Sequence, residues 1–123
     1  MVIDFSISNF RSIRDKQTLS FEATNSTHLE EYFVMKVGKY RLLKIATLLG
    51  ANASGKSNII SAMDVFKSIV LRGNIKNSET ASTPNIAAHR LELIPYRMNE
   101  KKQTTSFQIK FIENELLFDY EIE

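Results

Sequence analysis

The sequence predicts an α/β domain in which a mostly antiparallel sheet surrounds one strand–loop–helix unit. Three observations carry that prediction. Lys44, Ile45, Ala46, Thr47, Leu48 and Leu49 form a nearly unbroken apolar run, the pattern of a strand buried on both faces. This run enters a glycine-bounded loop and then a segment, residues 56–72, with helical periodicity. Short segments of alternating apolar and polar residues lie on both sides of the unit, as half-buried strands require.

Taken in order, Val2, Ile3, Phe5 and Ile7 alternate with Asp4, Ser6 and Ser8 and predict a first strand over residues 2–8. Asn9, Phe10, Arg11 and Ser12 form the turn after it. Residues 18–21 predict a second strand, antiparallel to the first, and the polar stretch 23–31 predicts a loop. Residues 32–37 and 40–43 flank Gly38-Lys39 and read as a hairpin. In the helix, Ile59, Met63, Phe66 and Val70 step by four, three and four, so they share a face that Ile60 and Ile69 widen. Gly73 suits the left-handed position that ends a helix. The Asn-, Ser- and Thr-rich stretch 74–88 predicts an exposed, mobile loop. Leu91, Leu93, Tyr96 and Met98, interrupted by Pro95, suggest a broken strand, and residues 100–103 a turn. Phe107, Ile109 and Phe111, a turn at Glu113-Asn114, then Leu116, Phe118, Tyr120 and Ile122 predict a hairpin with one buried face.

The 123 residues suit one domain with a modest core. A net charge of +2 is too small to argue for nucleic acid or membrane on charge alone. With no cysteine, disulfides and thiolate metal sites are excluded, and a reducing, cytoplasmic compartment is the expectation. The N-terminus has neither the basic nor the long apolar region of a signal peptide. No apolar run approaches the ~20 residues that span a bilayer.

The loop Gly50-Ala51-Asn52-Ala53-Ser54-Gly55-Lys56-Ser57 satisfies the Walker A template of P-loop NTPases. Each part has a mechanical reason. The glycines let the backbone curl so that successive N–H groups line one concavity. The helix that starts there adds unpaired N–H groups and the positive end of its dipole. Lys56 supplies a point charge for the β- and γ-phosphates, and the Ser57 hydroxyl a ligand for Mg²⁺. The strand before the loop and the amphipathic helix after it are the context the motif demands. The alternative, a glycine turn before a helix with a solvated lysine, needs that coincidence to be accidental.

Leu48-Leu49-Gly50-Ala51-Asn52-Ala53-Ser54-Gly55-Lys56-Ser57-Asn58 resembles the phosphate loop of SMC-like and RecF-like ABC ATPases. It is most similar to that of bacterial AAA family ATPases related to the OLD nucleases and to phage-defence and toxin–antitoxin-like ATPases. Ala53 stands where many SMC members have glycine. Residues 7–13, Ile-Ser-Asn-Phe-Arg-Ser-Ile, resemble the family's segment beside the nucleotide, which makes Arg11 a candidate nucleotide contact and Asn9 and Ser12 lesser ones. Pro95-Tyr96-Arg97, Thr105-Ser106-Phe107-Gln108-Ile109 and Leu117-Phe118-Asp119-Tyr120 resemble the region that follows the loop helix in this branch.

The resemblance implies that residues 1–123 are the N-terminal ATP-binding lobe of a larger ABC-type ATPase head. ATP and Mg²⁺ would be held by residues 50–58, with Ser57 on the metal. The implied partner is a second head across an ATP sandwich, with DNA as a possible further one and no membrane. The family's signature motif, Walker B Asp-Glu and switch histidine are not in this sequence, so hydrolysis is expected only with a second lobe. Leu116 to Glu121 mimics a Walker B run, but its alternation reads as a one-sided hairpin strand. Gln103 and Gln108 lack the setting of the family's metal-sensing glutamine. His28 and His89 sit in polar loops without partners at ligand spacing. Lys36, Lys39, Arg41 and Lys44 could track nucleic acid, though a solvated hairpin face explains them as well. Two other functions remain open on the sequence. One is a different P-loop module, although a guanine-reading Asn-Lys-x-Asp and a kinase lid are both missing. The other is an interaction subunit with a vestigial nucleotide site.

Overall fold

The structure, a computed structural model, describes residues 1–72, 93–98 and 103–123. In chain order its elements are β1 (Val2–Ser8), β2 (Gln17–Ser20), α1 (Glu30–Phe33), β3 (Val34–Val37), β4 (Tyr40–Leu43), α2 (Lys56–Arg72), β5 (Ser106–Glu113) and β6 (Leu116–Ile122). Gly73, residues 74–88, His89, Leu91 and most of the 100–103 turn lie outside the described residues.

β1 sits inside a four-stranded sheet of order β2-β1-β5-β6, antiparallel at every pairing. Its alternation sorts the faces. Ile3, Phe5 and Ile7 are buried, while Asp4, Ser6 and Ser8 lie opposite Lys110, Gln108 and Ser106 on the other face. Ser6 and Thr18 share a hydroxyl hydrogen bond at 2.8 Å there, and Ser8 and Ser106 another at 2.9 Å. α2 covers the apolar face. The core it closes holds Phe5, Ile7, Phe10, Ile13, Ala62, Val65, Phe66 and Phe107. Phe5 meets Phe66 edge-on at 5.8 Å, and Phe10 meets Phe107 at 5.9 Å, the geometry aromatic quadrupoles favour. A one-residue register shift between Val2 and Asp4 lies beside a second cluster of Ile3, Leu42 and Ile112.

β3 and β4 form the expected hairpin. It joins the main sheet through a bridge from Leu42 to Glu22 and a 2.7 Å hydrogen bond from the Leu43 amide to the Phe21 carbonyl. Tyr32 and Phe33 fall in the helical turn α1, not in the strand that the pattern suggests. The turn is fixed by ions. Glu30 accepts from Lys36 at 2.9 Å and lies 3.4 Å from Arg41, which also donates to the Thr24 and Ser26 carbonyls. The Lys36 hydrogen bond foremost, then the Arg41 charge, hold the Glu30 carboxyl below its ordinary pKa against the opposing effect of desolvation.

Four expectations need correction. Residues 44–49 are not a strand. Among the described residues, no backbone hydrogen bond reaches residues 45–49, and Ile45 and Leu49 are 62% and 88% exposed. A buried strand needs a neighbour on each edge, and among the described residues only Lys44, at the start of the segment, finds a backbone partner, the Phe33 carbonyl. The apolar stripe of α2 holds in part: Ile59, Met63, Phe66 and Ile69 pack on the core together with Ala62 and Val65, whereas Ile60 and Val70 are exposed, because the sheet covers one side of the helix only. Residues 93–98 form no strand. Last, β6 is an edge, and of its expected buried face Leu116, Phe118 and Tyr120 are exposed, while Ile122 packs on the core. The turn before β6 is Asn114-Glu115, both at positive φ (50° and 66°), which is the two-residue type I′ connection.

Candidate phosphate-binding site

The loop of residues 50–57 closes between the extended segment before it and the first turn of α2. Its two glycines serve different ends. Gly55 has φ +90°, which side-chain-bearing residues rarely adopt. At Gly50 a Cβ would lie 2.9 Å from Ser54 Oγ, so a side chain there would force that hydroxyl to turn away. Ala53 takes a left-handed conformation, φ 61°, without being glycine.

Lys56 folds back across the loop. Its Nζ donates to the Gly50 carbonyl at 2.7 Å, the Ala51 carbonyl at 2.6 Å and Ser54 Oγ at 3.2 Å. One ammonium thus ties both ends of the loop together and stands beside the helix N-terminus. The Ser54 amide donates to the Ala51 carbonyl at 3.3 Å, and the Asn58 and Ile59 amides close onto the Gly55 carbonyl at 2.9 and 3.3 Å. Between them the amides of Gly55, Lys56 and Ser57 engage no backbone acceptor among the described residues. Ser57 is exposed at the start of the helix. Unpaired helix-start amides, a positive dipole end and an ammonium are the elements from which an anion site is built. The donor set suits phosphate oxygens, and an exposed hydroxyl beside it suits a hard cation.

The turn at residues 9–12 reaches this site from a distant part of the sequence. Ser12 Oγ accepts from Asn58 Nδ2 at 2.7 Å, and a Cβ on Gly55 would lie 3.6 Å from the same oxygen. Arg11 lies against the helix one turn further on. Its Nη1 donates to Ser61 Oγ at 3.2 Å, its guanidinium stands 5.3 Å from the Phe10 ring, and its buried Nε has no hydrogen-bond partner among the described residues. Asn9 and Arg11 both have φ 51°, a conformation that Asn adopts readily and that is costly for Arg11.

A sequence model of the family described as "AAA domain, putative AbiEii toxin, Type IV TA system" matches residues 45–123, well over half of the chain. The chain belongs to this AAA family. It therefore carries a P-loop, ATPase-like nucleotide-binding module, with the loop of residues 50–57 inside the match. No curated protein and no solved structure matches the chain.

Elsewhere in this AAA domain the remaining candidates find ordinary partners. Gln108 accepts from Lys16 at 2.8 Å and donates to Asp119 at 2.8 Å, on the sheet face away from α2. Asp119 is also 3.7 Å from Lys110, so the acids of β6 belong to the sheet surface. Gln103 is exposed, and its carbonyl accepts from Asn9 Nδ2 at 2.6 Å. The cations of the hairpin are engaged too: Lys36 and Arg41 on Glu30, Lys44 on the Glu31 carbonyl at 3.3 Å, and Lys39 over the Tyr40 ring at 5.2 Å. Among the described residues no group of three or more His, Asp or Glu could hold a metal, and no helix is long and apolar enough to cross a membrane. Sequence reasoning missed Ser61, Ile94 and Thr105 as partners of the turn at 9–12. No local signal marks them, because their spacing from it exists only in the fold.

Proposed function

We propose that this chain is the ATP-binding lobe of an ABC/SMC-like ATPase. The observation that carries the reading is the loop itself. Three successive amides without backbone acceptors among the described residues lie at the start of α2, beside an ammonium that bonds back to the start of the loop at Gly50 and Ala51. ATP with Mg²⁺ is the ligand that this donor set fits. Residues 52–57 would cradle the phosphates through backbone N–H groups. Lys56 would leave the Gly50 and Ala51 carbonyls for the β- and γ-phosphate oxygens, and Ser57 would hold the metal, which supplies charge neutralisation at the transferred phosphoryl group.

Hydrolysis in this reading waits for groups that the chain does not supply. The signature motif, the Walker B acids and a second head would come from a further lobe and a partner. The apolar side chains left exposed beside the loop, Ile45 and Leu49 before it and Ile60 in the helix after it, support such a covering lobe. DNA repair and anti-phage defence, with or without an attached nuclease, are the processes in which heads of this kind serve.

Titration calorimetry with ATP and Mg²⁺ tests the reading. Binding is expected, with ATP preferred over GTP and no appreciable turnover. Lys56→Ala is expected to weaken binding about 100-fold, the scale of a lost charge-assisted contact. A site that stays empty at millimolar ATP would instead favour an interaction subunit. Hydrolysis that Lys56→Ala abolishes would overturn the need for a second lobe.

A further inference from the structure

The phosphate loop is held from outside, and the holding residues form a chain of bonds across the molecule. Ser12 Oγ accepts from Asn58 Nδ2 at 2.7 Å, immediately beside Gly55. Arg11 Nη1 donates to Ser61 Oγ at 3.2 Å, one turn along the same flank of α2. These contacts begin in the same four-residue turn. That turn is fixed on its other side by the chain that leads into β5. The Arg11 amide donates to the Ile94 carbonyl at 2.7 Å, Asn9 Nδ2 donates to the Gln103 carbonyl at 2.6 Å, and Thr105 Oγ1 donates to the Asn9 carbonyl at 2.7 Å. Asn9 and Thr105 are buried to 2% and 7% exposure, so this half of the linkage is shielded from water and costly to break.

We infer that residues 9–12 are a positioning clamp that orients the phosphate loop and couples it to the entry of β5, with Ser12 and Asn58 as positioning residues. The inference rests on the ATP-site reading given above. Its physical content is simple. The Gly55 carbonyl accepts both the Asn58 and the Ile59 amides, and that pair defines the first turn of α2. Tying Asn58 to Ser12 fixes how the turn faces the loop. Arg11, left-handed at φ 51°, makes the clamp a strained element, and strain of that kind persists only where neighbours over-determine it. A movement of residues 103–105 would then be felt at the phosphate amides without any change in the loop's own sequence.

Two measurements on the 123-residue chain decide it. In the first, ATP–Mg²⁺ affinity is measured for Ser12→Ala, Asn58→Ala and the double variant. Each single change is expected to raise Kd about fivefold, the scale of one hydrogen bond, and the double change no further. Ser12→Thr, which keeps the hydroxyl, is expected to bind like the original chain. Multiplying effects, or unchanged affinity in Ser12→Ala, would overturn the clamp. In the second, hydrogen exchange of the Asn58 and Ile59 amides is followed without nucleotide. Ser12→Ala and Thr105→Val are both expected to speed it several-fold. Exchange that Thr105→Val leaves untouched would remove the coupling to β5. Lys56→Ala separates the two proposals. If the original chain and Lys56→Ala both fail to bind, the ATP reading falls while exchange still decides the clamp. If only Lys56→Ala fails and the Ser12 and Asn58 variants bind normally, the clamp alone falls.

Discussion

Two segments of this chain read as core strands, and they meet opposite fates. β1 has β2 on one edge and β5 on the other, and its Ile3, Phe5 and Ile7 are 2% exposed or less. Residues 44–49 are just as apolar, yet Ile45 is 62% exposed and Leu49 88%, with no backbone partner for residues 45–49 among the described residues. Hydrophobic pattern states a demand for burial. A strand forms only where another segment brings both an apolar surface and a matching row of donors and acceptors. The same division runs around α2, whose Val65 and Phe66 side is closed by the sheet while Ile60 and Val70 stay exposed.

The sharpest break of this comparison is a truncation on the covered side. Phe5 touches Phe66 and is 1% exposed, so Phe5→Ala is expected to cost about 3–5 kcal/mol, read by urea or thermal unfolding. A loss under ~1 kcal/mol would mean the sheet–helix core is not what stabilises the chain. A smaller effect tests how firmly the paired region holds its own edge. Glu115 sits at φ 66° in the β5–β6 turn, where glycine avoids the Cβ penalty. Glu115→Gly is expected to stabilise by about 1 kcal/mol; a loss of stability would show that the Glu115 side chain contributes more than its backbone strain costs. The smallest effect belongs to the uncovered segment. Leu49→Ala is expected to change stability by no more than ~0.5 kcal/mol in this chain. A cost near that of Phe5→Ala would show that residues 44–49 are covered after all.

Much of this was legible in the residues. The period of residues 56–72 placed α2 with both its bounds, because an amphipathic helix carries its signal locally. The alternation of residues 107–122 located the β5–β6 hairpin but overestimated the burial of β6. Whether Phe118 and Tyr120 are covered depends on what lies beyond the edge, which no period encodes. The glycine spacing marked the phosphate loop, and the family match places it in an AAA domain. The partners of Arg11 were not legible: Ser61 and Ile94 lie 50 and more positions away, one on α2 and the other in the segment 93–98, and only the fold brings them to the turn.

By itself, then, the sequence determined the local matters: where the chain curls into the glycine-bounded loop, where the helix begins and ends, and which residues seek burial. Those follow from backbone sterics, helix-end amides and period, all properties of neighbouring residues. Only the tertiary structure decided which of the apolar residues are covered, that Lys56 ties the loop shut, and that the turn at 9–12 grips the first turn of α2. Those depend on surfaces meeting across long stretches of chain, where the free energy of a contact is set by geometry that no single segment contains.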